Sequence, residues 1–491
     1  MFCALPLAGL SAWIAAGALT RSRGLRLWAA LFWGAAPALQ VALGSGRLGA
    51  LIAHVLLPLA LLGIVRAVGC ALPVRPLPDG VIAPGTDGTR SWTAAAAAGL
   101  VLAVATASAP SLLPVVILGG VLALALGRRR TRTLWWTLLP ILALQLPYAL
   151  STLQDPRGLL GDPGVPTPFD PAAPWQQLLG FPVSFDPFLP PAAAGFLGAG
   201  PWALVAAVII GGPVLALAAR ALFVPHGRGR MVRSFWLVAV LALALAAVVP
   251  LVPVAVGTSA LIQVFPGPLV SAVSLCLLAA ALSGSPGPQH ASSAAAPPHR
   301  RLFRVAGGLV LAAGPLVGLG LWLSPEVVVP PAASAGPVVI PGDRVDEAAD
   351  APATTDLGTG IALRPVAERP LPATAADRGA GPEQIRTLVI TVDDEDDVAA
   401  ALMRGSGTTL DDLNPLYAAR VLGPGSAVLD DSESARTLRS TAAVIVGATG
   451  ADPRADLRDL GVAFVVLRQS ETAGGVPQQP HRLRPRPHRG R

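Results

Sequence analysis

The chain has 491 residues, 53% of them hydrophobic and 13% charged, with a mean hydropathy of +0.60, and such a composition excludes one ordinary soluble domain. Nineteen of the 36 basic residues but only six of the 29 acidic ones precede Pro325, so the first part carries +13 and the rest −6. Every basic residue is Arg, and in the first part these sit in short connections between apolar runs, where they fix membrane orientation; a nucleic-acid partner is excluded on that ground.

The first apolar stretch, Phe2–Thr20, has no basic residue before it and three Arg after it, the reverse of a secretory signal peptide, and reads as a retained span. A hydrocarbon core of about 30 Å needs about 20 apolar residues per helix. That ruler predicts ten spans before Pro325: Phe2–Thr20, Leu27–Gly44, Leu48–Val65, Trp92–Ala109, Ser111–Gly127, Leu134–Leu150, Ala193–Val224, Phe235–Val256, Ala260–Ser283 and Val305–Leu323. The seventh is long and interrupted by Gly200-Pro201 and Gly212-Pro213, as a tilted or kinked span would be. One set of alternate connections holds 17 Arg and the other holds Arg47 and Arg157, which predicts that both termini lie outside the plasma membrane.

No predicted span has Asp, Glu, Lys or Arg in its middle, so the spans read as scaffold instead of an ion or proton path. Arg220 reads as a residue that snorkels to the surface, and His54, Gln40, Gln145 and Gln263 as residues that hydrogen-bond between helices. Cys3, Cys70 and Cys276 have neither metal-site nor disulfide spacing and read as small buried residues.

The longest connection of this part, Ser151 to Pro191, is predicted outside and carries Asp155, Asp162, Asp170 and Asp186 among many prolines and Trp175, suggesting a compact surface loop or a re-entrant element. Asp155 and Asp162 are the candidate catalytic residues, because an outward-facing carboxylate can activate an acceptor hydroxyl at the bilayer surface; Asp-Pro-Arg and Gly-Asp-Pro are equally ordinary turn formers.

Residues 325–385, rich in Pro, Ala and Asp, read as a linker. From 386 to 468 the pattern becomes that of a small extracytoplasmic α/β module: a strand at Thr387–Val392, a second strand or short helix at Val398–Met403, a helix over Ser432–Gly447, a short helix near Asp452–Leu460 and a strand at Val462–Leu467. Residues 469–491 read as a disordered basic tail. The acidic run Asp393–Asp397 follows the first strand, and Asp394 and Asp396 have Asp-x-Asp spacing, as do pairs that hold a divalent ion against a nucleotide-sugar diphosphate; a solvated acidic turn is the alternative. No Gly-rich phosphate loop, nucleophile elbow or zinc-protease motif occurs, and no bound cofactor or metal is expected.

The strings PYALSTLQDPRGLLGDPGVP and PWQQLLGFP, with RTLVITVDD, ALMRGSGTTLDDL and LRDLGVAFVVLR further on, resemble the C-terminal membrane region of large actinobacterial family 2 glycosyltransferases of the cell envelope. The likeness covers most of residues 20–468 and carries no catalytic residue. It implies the membrane-embedded part of an envelope polysaccharide glycosyltransferase, with the bilayer, a lipid-linked glycan and a separate catalytic domain as partners. In that family a cytoplasmic catalytic domain precedes the spans; here none does, and the likeness ends after Arg468, which suggests a two-polypeptide enzyme or a fragment. A non-catalytic membrane protein whose outer module binds cell-wall polymer is the alternative.

Overall fold

A computed structural model describes residues 3–72, 90–126, 129–151, 156–161, 169–188, 200–223, 228–256, 261–284, 298–323, 371–392, 398–405, 433–447 and 450–469. The chain forms two compact units; the described part of the first lies within 3–323 and that of the second within 371–469.

The first unit is helical. Its helices are α1 (Ala4–Leu19), α2 (Arg23–Gly34), α3 (Pro37–Gly44), α4 (Leu48–Ala67), α5 (Trp92–Ser108), α6 (Leu113–Leu126), α7 (Trp135–Ser151), α8 (Pro174–Leu178), α9 (Trp202–Phe223) and α10 (Gly229–Val248). Two short strands, β1 (Pro253–Val256) and β2 (Leu261–Gln263), precede α11 (Gly267–Ser283) and α12 (Pro298–Leu323). Among the described residues five helical segments are long and apolar enough to cross a membrane: 23–44 (α2 with α3), α4, 131–150 (which holds most of α7), α9, and 229–251 (α10 with the turn after it). Shorter apolar helices occupy the other five predicted stretches.

Outward faces are apolar too. On α7, Trp135, Leu139, Leu142, Leu146 and Leu150 recur every three or four residues and are all about half exposed. A stripe of that size in water would drive association, whereas against lipid it is the ordinary surface of a membrane helix. The unit is thus a helical membrane protein by length, composition and surface.

Local chemistry sets the helix limits. Ser22 and Ser91 are extended residues whose hydroxyls accept from the Leu25 and Ala94 amides, so they start α2 and α5 as N-caps. Pro37 lacks an N–H and forces Ala36 into an extended conformation, which breaks the second predicted span into α2 and α3.

The end of α1 shows how one end of the unit is closed. The last carbonyls of a helix have no partner within it. Here Arg26 donates to the carbonyls of Gly17 and Thr20, the Leu72 amide to that of Ala18, and Arg228 to that of Leu19. Guanidinium groups suit this place because the C-terminus carries the negative end of the helix dipole. Thr133 likewise donates to the Ala67 carbonyl at the end of α4.

Every residue of α11 is buried within the protein, against α10 and α9 and beside α3 and α4. Its apolar surface is continuous around the axis, which is what a helix enclosed by others requires. The principal core is built on it, with Trp33, Leu39, Leu112, Phe265 and Leu269 among the fully enclosed side chains.

Two of the predicted span limits are corrected. The stretch 249–263, assigned by hydropathy to the end of the eighth span and the start of the ninth, forms a 3-10 turn and the antiparallel β1–β2 hairpin, with Pro253 opposite Gln263 and Val256 opposite Leu261. Pro250 and Pro253 remove helix donors, and the β-branched residues around them suit strands. The seventh predicted span contains a helix only from Trp202, and 189–199 lie outside the described residues.

The second unit is an α/β fold. Strands β3 (Arg386–Val392), β4 (Val398–Met403) and β5 (Val462–Gln469) form a sheet in the order β4-β3-β5, with β4 antiparallel and β5 parallel to the central strand. Helices α14 (Glu433–Val446) and α15 (Arg454–Asp459) supply the crossover that a parallel pair needs. A further helix, α13 (Ala373–Ala380), falls within the stretch read as linker, and its Ala375, with Leu371, packs on Val389 while Phe464 and Val466 lie alongside. The linker reading is therefore corrected at its end: alanine-rich composition concealed a helix whose apolar side completes the sheet's core.

Candidate functional site

The candidate carboxylates Asp155 and Asp162 lie outside the described residues, but their neighbours are placed. Pro156–Leu160 forms a 3-10 turn, and Leu160 and Phe169 pack on the main core. The Phe169 ring meets Phe265 edge to face at 5.4 Å, and the Arg47 guanidinium lies over both rings, 5.2 Å and 4.2 Å from their centres. Arg47 is 8% exposed, and the two rings cover its charge with their electron-rich faces. Arg47 comes from the α3–α4 connection and Phe265 from just before α11, so the cluster fastens the start of the long connection's described hairpin onto the helix ends. Both are residues the sequence reading assigned no role, and only the isolated position of Arg47 on the arginine-poor side marked it.

From Phe169 to Phe188 the same connection makes a hairpin that enters the helix bundle. Its arms pair through Pro171 and Val183, and the Ser184 amide donates to the Asp170 carbonyl. Its tip is the five-residue helix α8, followed by Gly180 at φ +100, a turn conformation that glycine adopts without strain. A side chain added at Gly180 would meet the Ser274 hydroxyl of α11 and the ring of Pro37. At Gly211 an added carbon would lie 2.4 Å from the Leu179 carbonyl oxygen, so only glycine allows this approach. Gly211 is nine residues into α9, or roughly 14 Å along it, and Ser274 is about 10 Å into α11 at helical rise. The described part of the connection from 169 to 188 thus reaches between the helices of the bundle.

Two adjacent glutamines hold the tip, and they differ. Gln176 is fully satisfied: its Oε1 accepts from the Ala173 amide at 3.0 Å and its Nε2 donates to the Phe185 carbonyl at 2.8 Å. Gln177 donates through Nε2 to the carbonyls of Ala172 at 2.9 Å and Ala246 of α10 at 3.2 Å, while its Oε1 has no partner. Two carbonyl acceptors on one side of the amide fix which atom is nitrogen. A buried acceptor left unmatched costs about 1–3 kcal/mol. Trp175 and Phe185 stack edge to face beside this pair, and Phe185 with Phe181 packs on Ala203, Ala207 and Ile210 of α9.

Deeper in the unit, His54 of α4 joins three helices. Its Nδ1 lies 2.8 Å from the Ser271 hydroxyl of α11 and its Nε2 lies 3.1 Å from the Trp33 carbonyl, so both ring nitrogens have partners. Its ring stacks on that of Trp33 at 3.9 Å, and Trp33 Nε1 donates to the His54 carbonyl. Gln40 donates to the Gly318 carbonyl of α12. These two match the interhelical role read from sequence. Gln145 Nε2 and Gln263 Oε1 lack partners.

In the second unit Val392 pairs with Val398, and the acidic run between them, with Asp394 and Asp396, lies outside the described residues. Among the described residues no group of three or more His, Cys, Asp or Glu side chains is arranged to hold a metal ion.

Fold and site together define a helical membrane protein with a hairpin that reaches between its helices and a small α/β unit. No family model, curated protein or solved structure matches the chain.

Proposed function

We propose that this chain is the membrane-embedded and outer part of a cell-envelope polysaccharide glycosyltransferase, a multi-pass plasma-membrane protein of ten spans with its C-terminal module outside. It anchors the enzyme and handles lipid-linked glycan at its outer end, while transfer from a nucleotide sugar belongs to a catalytic domain that works with it. The reading is supported first by the resemblance of the Tyr148–Pro166 and Pro174–Pro182 strings to that family. The carrying structural observation is that the second of these strings, Pro174–Pro182, lies in a hairpin that enters the bundle at the end where the sequence is arginine-poor, where a lipid-linked sugar would present its headgroup.

Asp155 and Asp162 are the proposed acid or base groups of that end. Replacing each with Asn should abolish envelope glycan synthesis in cells, with chain levels in the membrane unchanged. Normal glycan in both variants would remove the carboxylates from the mechanism. If deleting the α/β module alone left glycan synthesis intact but reduced retention of cell-wall polymer, the binding-protein reading would replace this one.

A further inference from the structure

The arginines at the charged end of the helical unit do not all do the same thing. Arg26 and Arg228 direct their donors to the last carbonyls of α1. Arg66, in the last turn of α4, and Arg132, in the 3-10 turn Arg129–Leu134, are exposed and make no hydrogen bond or ion pair among the described residues. These two belong to one corner. The Thr133 hydroxyl donates to the Ala67 carbonyl at 3.1 Å, and Arg66 and Arg132 each sit one residue from that contact. Ala67, Ala95 of α5 and Leu134 pack together, and at Gly63 an added carbon would lie 2.7 Å from the Ala98 Cβ. Three backbones are therefore held close, and both guanidinium groups are carried on packed supports.

Tryptophan gathers at the same corner. Among the described residues five tryptophans are exposed: Trp92, Trp135 and Trp136 are here, at the starts of α5 and α7, while Trp175 and Trp202 lie by the outer hairpin. Trp92 and Trp136 meet edge to face at 6.0 Å. Exposed indoles at the starts of membrane helices mark the headgroup level of a bilayer. No described residue before Asp170 is Asp or Glu, so no described carboxylate of these helices answers the two positive charges. Orientation needs arginines only on one side of the membrane; it does not need them placed beside tryptophans on a packed frame.

We propose that this corner binds one anionic phospholipid, its phosphate between the guanidinium groups of Arg66 and Arg132 and its glycerol and upper chains along the Trp92–Trp136 pair. A guanidinium meets a phosphate through two parallel hydrogen bonds and gives up its water more readily than an ammonium does. The occupant is a lipid because the surface runs on from the tryptophans into the apolar level, where Leu139 follows Trp136 by one turn and is also exposed. It is anionic because a choline headgroup would bring a third positive charge beside the two arginines. The site requires only that the helical unit lie in a bilayer, and it holds whichever way the chain faces and whatever the chain does with glycans.

The test uses the full chain in phosphatidylcholine nanodiscs that carry a small fraction of one of two photoreactive lipids, phosphatidylglycerol or phosphatidylcholine, each with a diazirine beside the headgroup. Crosslinks from phosphatidylglycerol should map to residues 90–95 and 131–136, at least about tenfold above those from phosphatidylcholine, the scale set by two arginine–phosphate contacts. Arg66→Gln combined with Arg132→Gln should bring them down to the phosphatidylcholine level; both residues are exposed, so the fold is kept. Arg230→Gln combined with Arg233→Gln removes the same charge from exposed positions on α10, outside the corner, and should leave the crosslinks unchanged. Equal crosslinking by the two lipids, or none at these residues, overturns the proposal. An equal fall in both double variants also overturns it, because it shows a diffuse attraction to all the arginines. Full phosphatidylglycerol crosslinking in the Arg66→Gln, Arg132→Gln variant overturns the lipid assignment and leaves the two arginines to an acidic protein partner.

Discussion

At one end of the helical unit, arginines close the structure: Arg26 and Arg228 cap the carbonyls of α1. At the other end the one buried arginine among the described residues, Arg47, is covered by two phenylalanines, and a twenty-residue hairpin pushes between helices on neutral amides and glycines. The two ends solve one problem, unmatched backbone groups at helix termini, with different chemistry. Charge finishes the end where the sequence carries 17 arginines, and it also sets orientation. Neutral polar groups finish the other end, where the buried amides of Gln176 and Gln177 donate to the carbonyls of Phe185 and Ala246.

Three substitutions probe that contrast, beginning with the largest effect. Gly211→Ala brings a carbon to within 2.4 Å of the Leu179 oxygen and should destabilise the unit by about 1–3 kcal/mol or more, whereas Gly212→Ala, whose nearest neighbour is a Val208 methyl at 3.4 Å, should be neutral. Thermal melts of the two detergent-solubilised variants would show it, and equal melting would mean the hairpin does not reach α9.

His54→Leu strands the Ser271 hydroxyl and removes the stack on Trp33, a loss of about 1–3 kcal/mol. Combined with Ser271→Ala the two effects should fall short of additive, because both remove one hydrogen bond. Additive losses would show that the ring and the hydroxyl are not paired.

The smallest effect belongs to the arginine end. Arg26→Gln removes a charge near the α1 terminus and should cost roughly 0.3–1 kcal/mol, shrinking with added salt. A loss as large as that of Gly211→Ala would place the mechanical weight of the unit at the wrong end.

Much of this was legible in the residues. Apolar length located a helix in each of ten stretches, and the β-branched runs Thr387–Val392 and Val462–Leu467 are adjacent strands of the second unit. The β1–β2 hairpin was not legible, because hydropathy counts Pro253–Val256 and Leu261–Gln263 as apolar without asking which hydrogen bonds they can make. Nor was α13, whose buried Ala375 and Gly379 are too few and too small to give a period, nor the exposed position of Cys3, which reads as buried in an apolar stretch. The site was half legible. The prolines and Trp175 marked a compact or re-entrant connection, but its depth depends on Gly211 and Gly180, which have no side chain to form a pattern. The polarity of Gln177 has meaning only once its two carbonyl partners are known. Asp155, Asp162, Asp394 and Asp396 were chosen by chemistry alone, and their positions lie outside the described residues.

The central claim is that the hairpin end faces outward and the arginine end faces the cytoplasm. It is tested by single cysteines in a chain whose Cys3, Cys70 and Cys276 have been replaced. A membrane-impermeant thiol reagent applied to intact cells should label Ser440→Cys, on the exposed side of α14, and should leave Ser292→Cys, in the connection after α11, unlabelled until the cells are opened. Labelling of Ser292→Cys in intact cells with Ser440→Cys protected would contradict the account, invert the orientation, and place the hairpin on the side where the nucleotide sugars are.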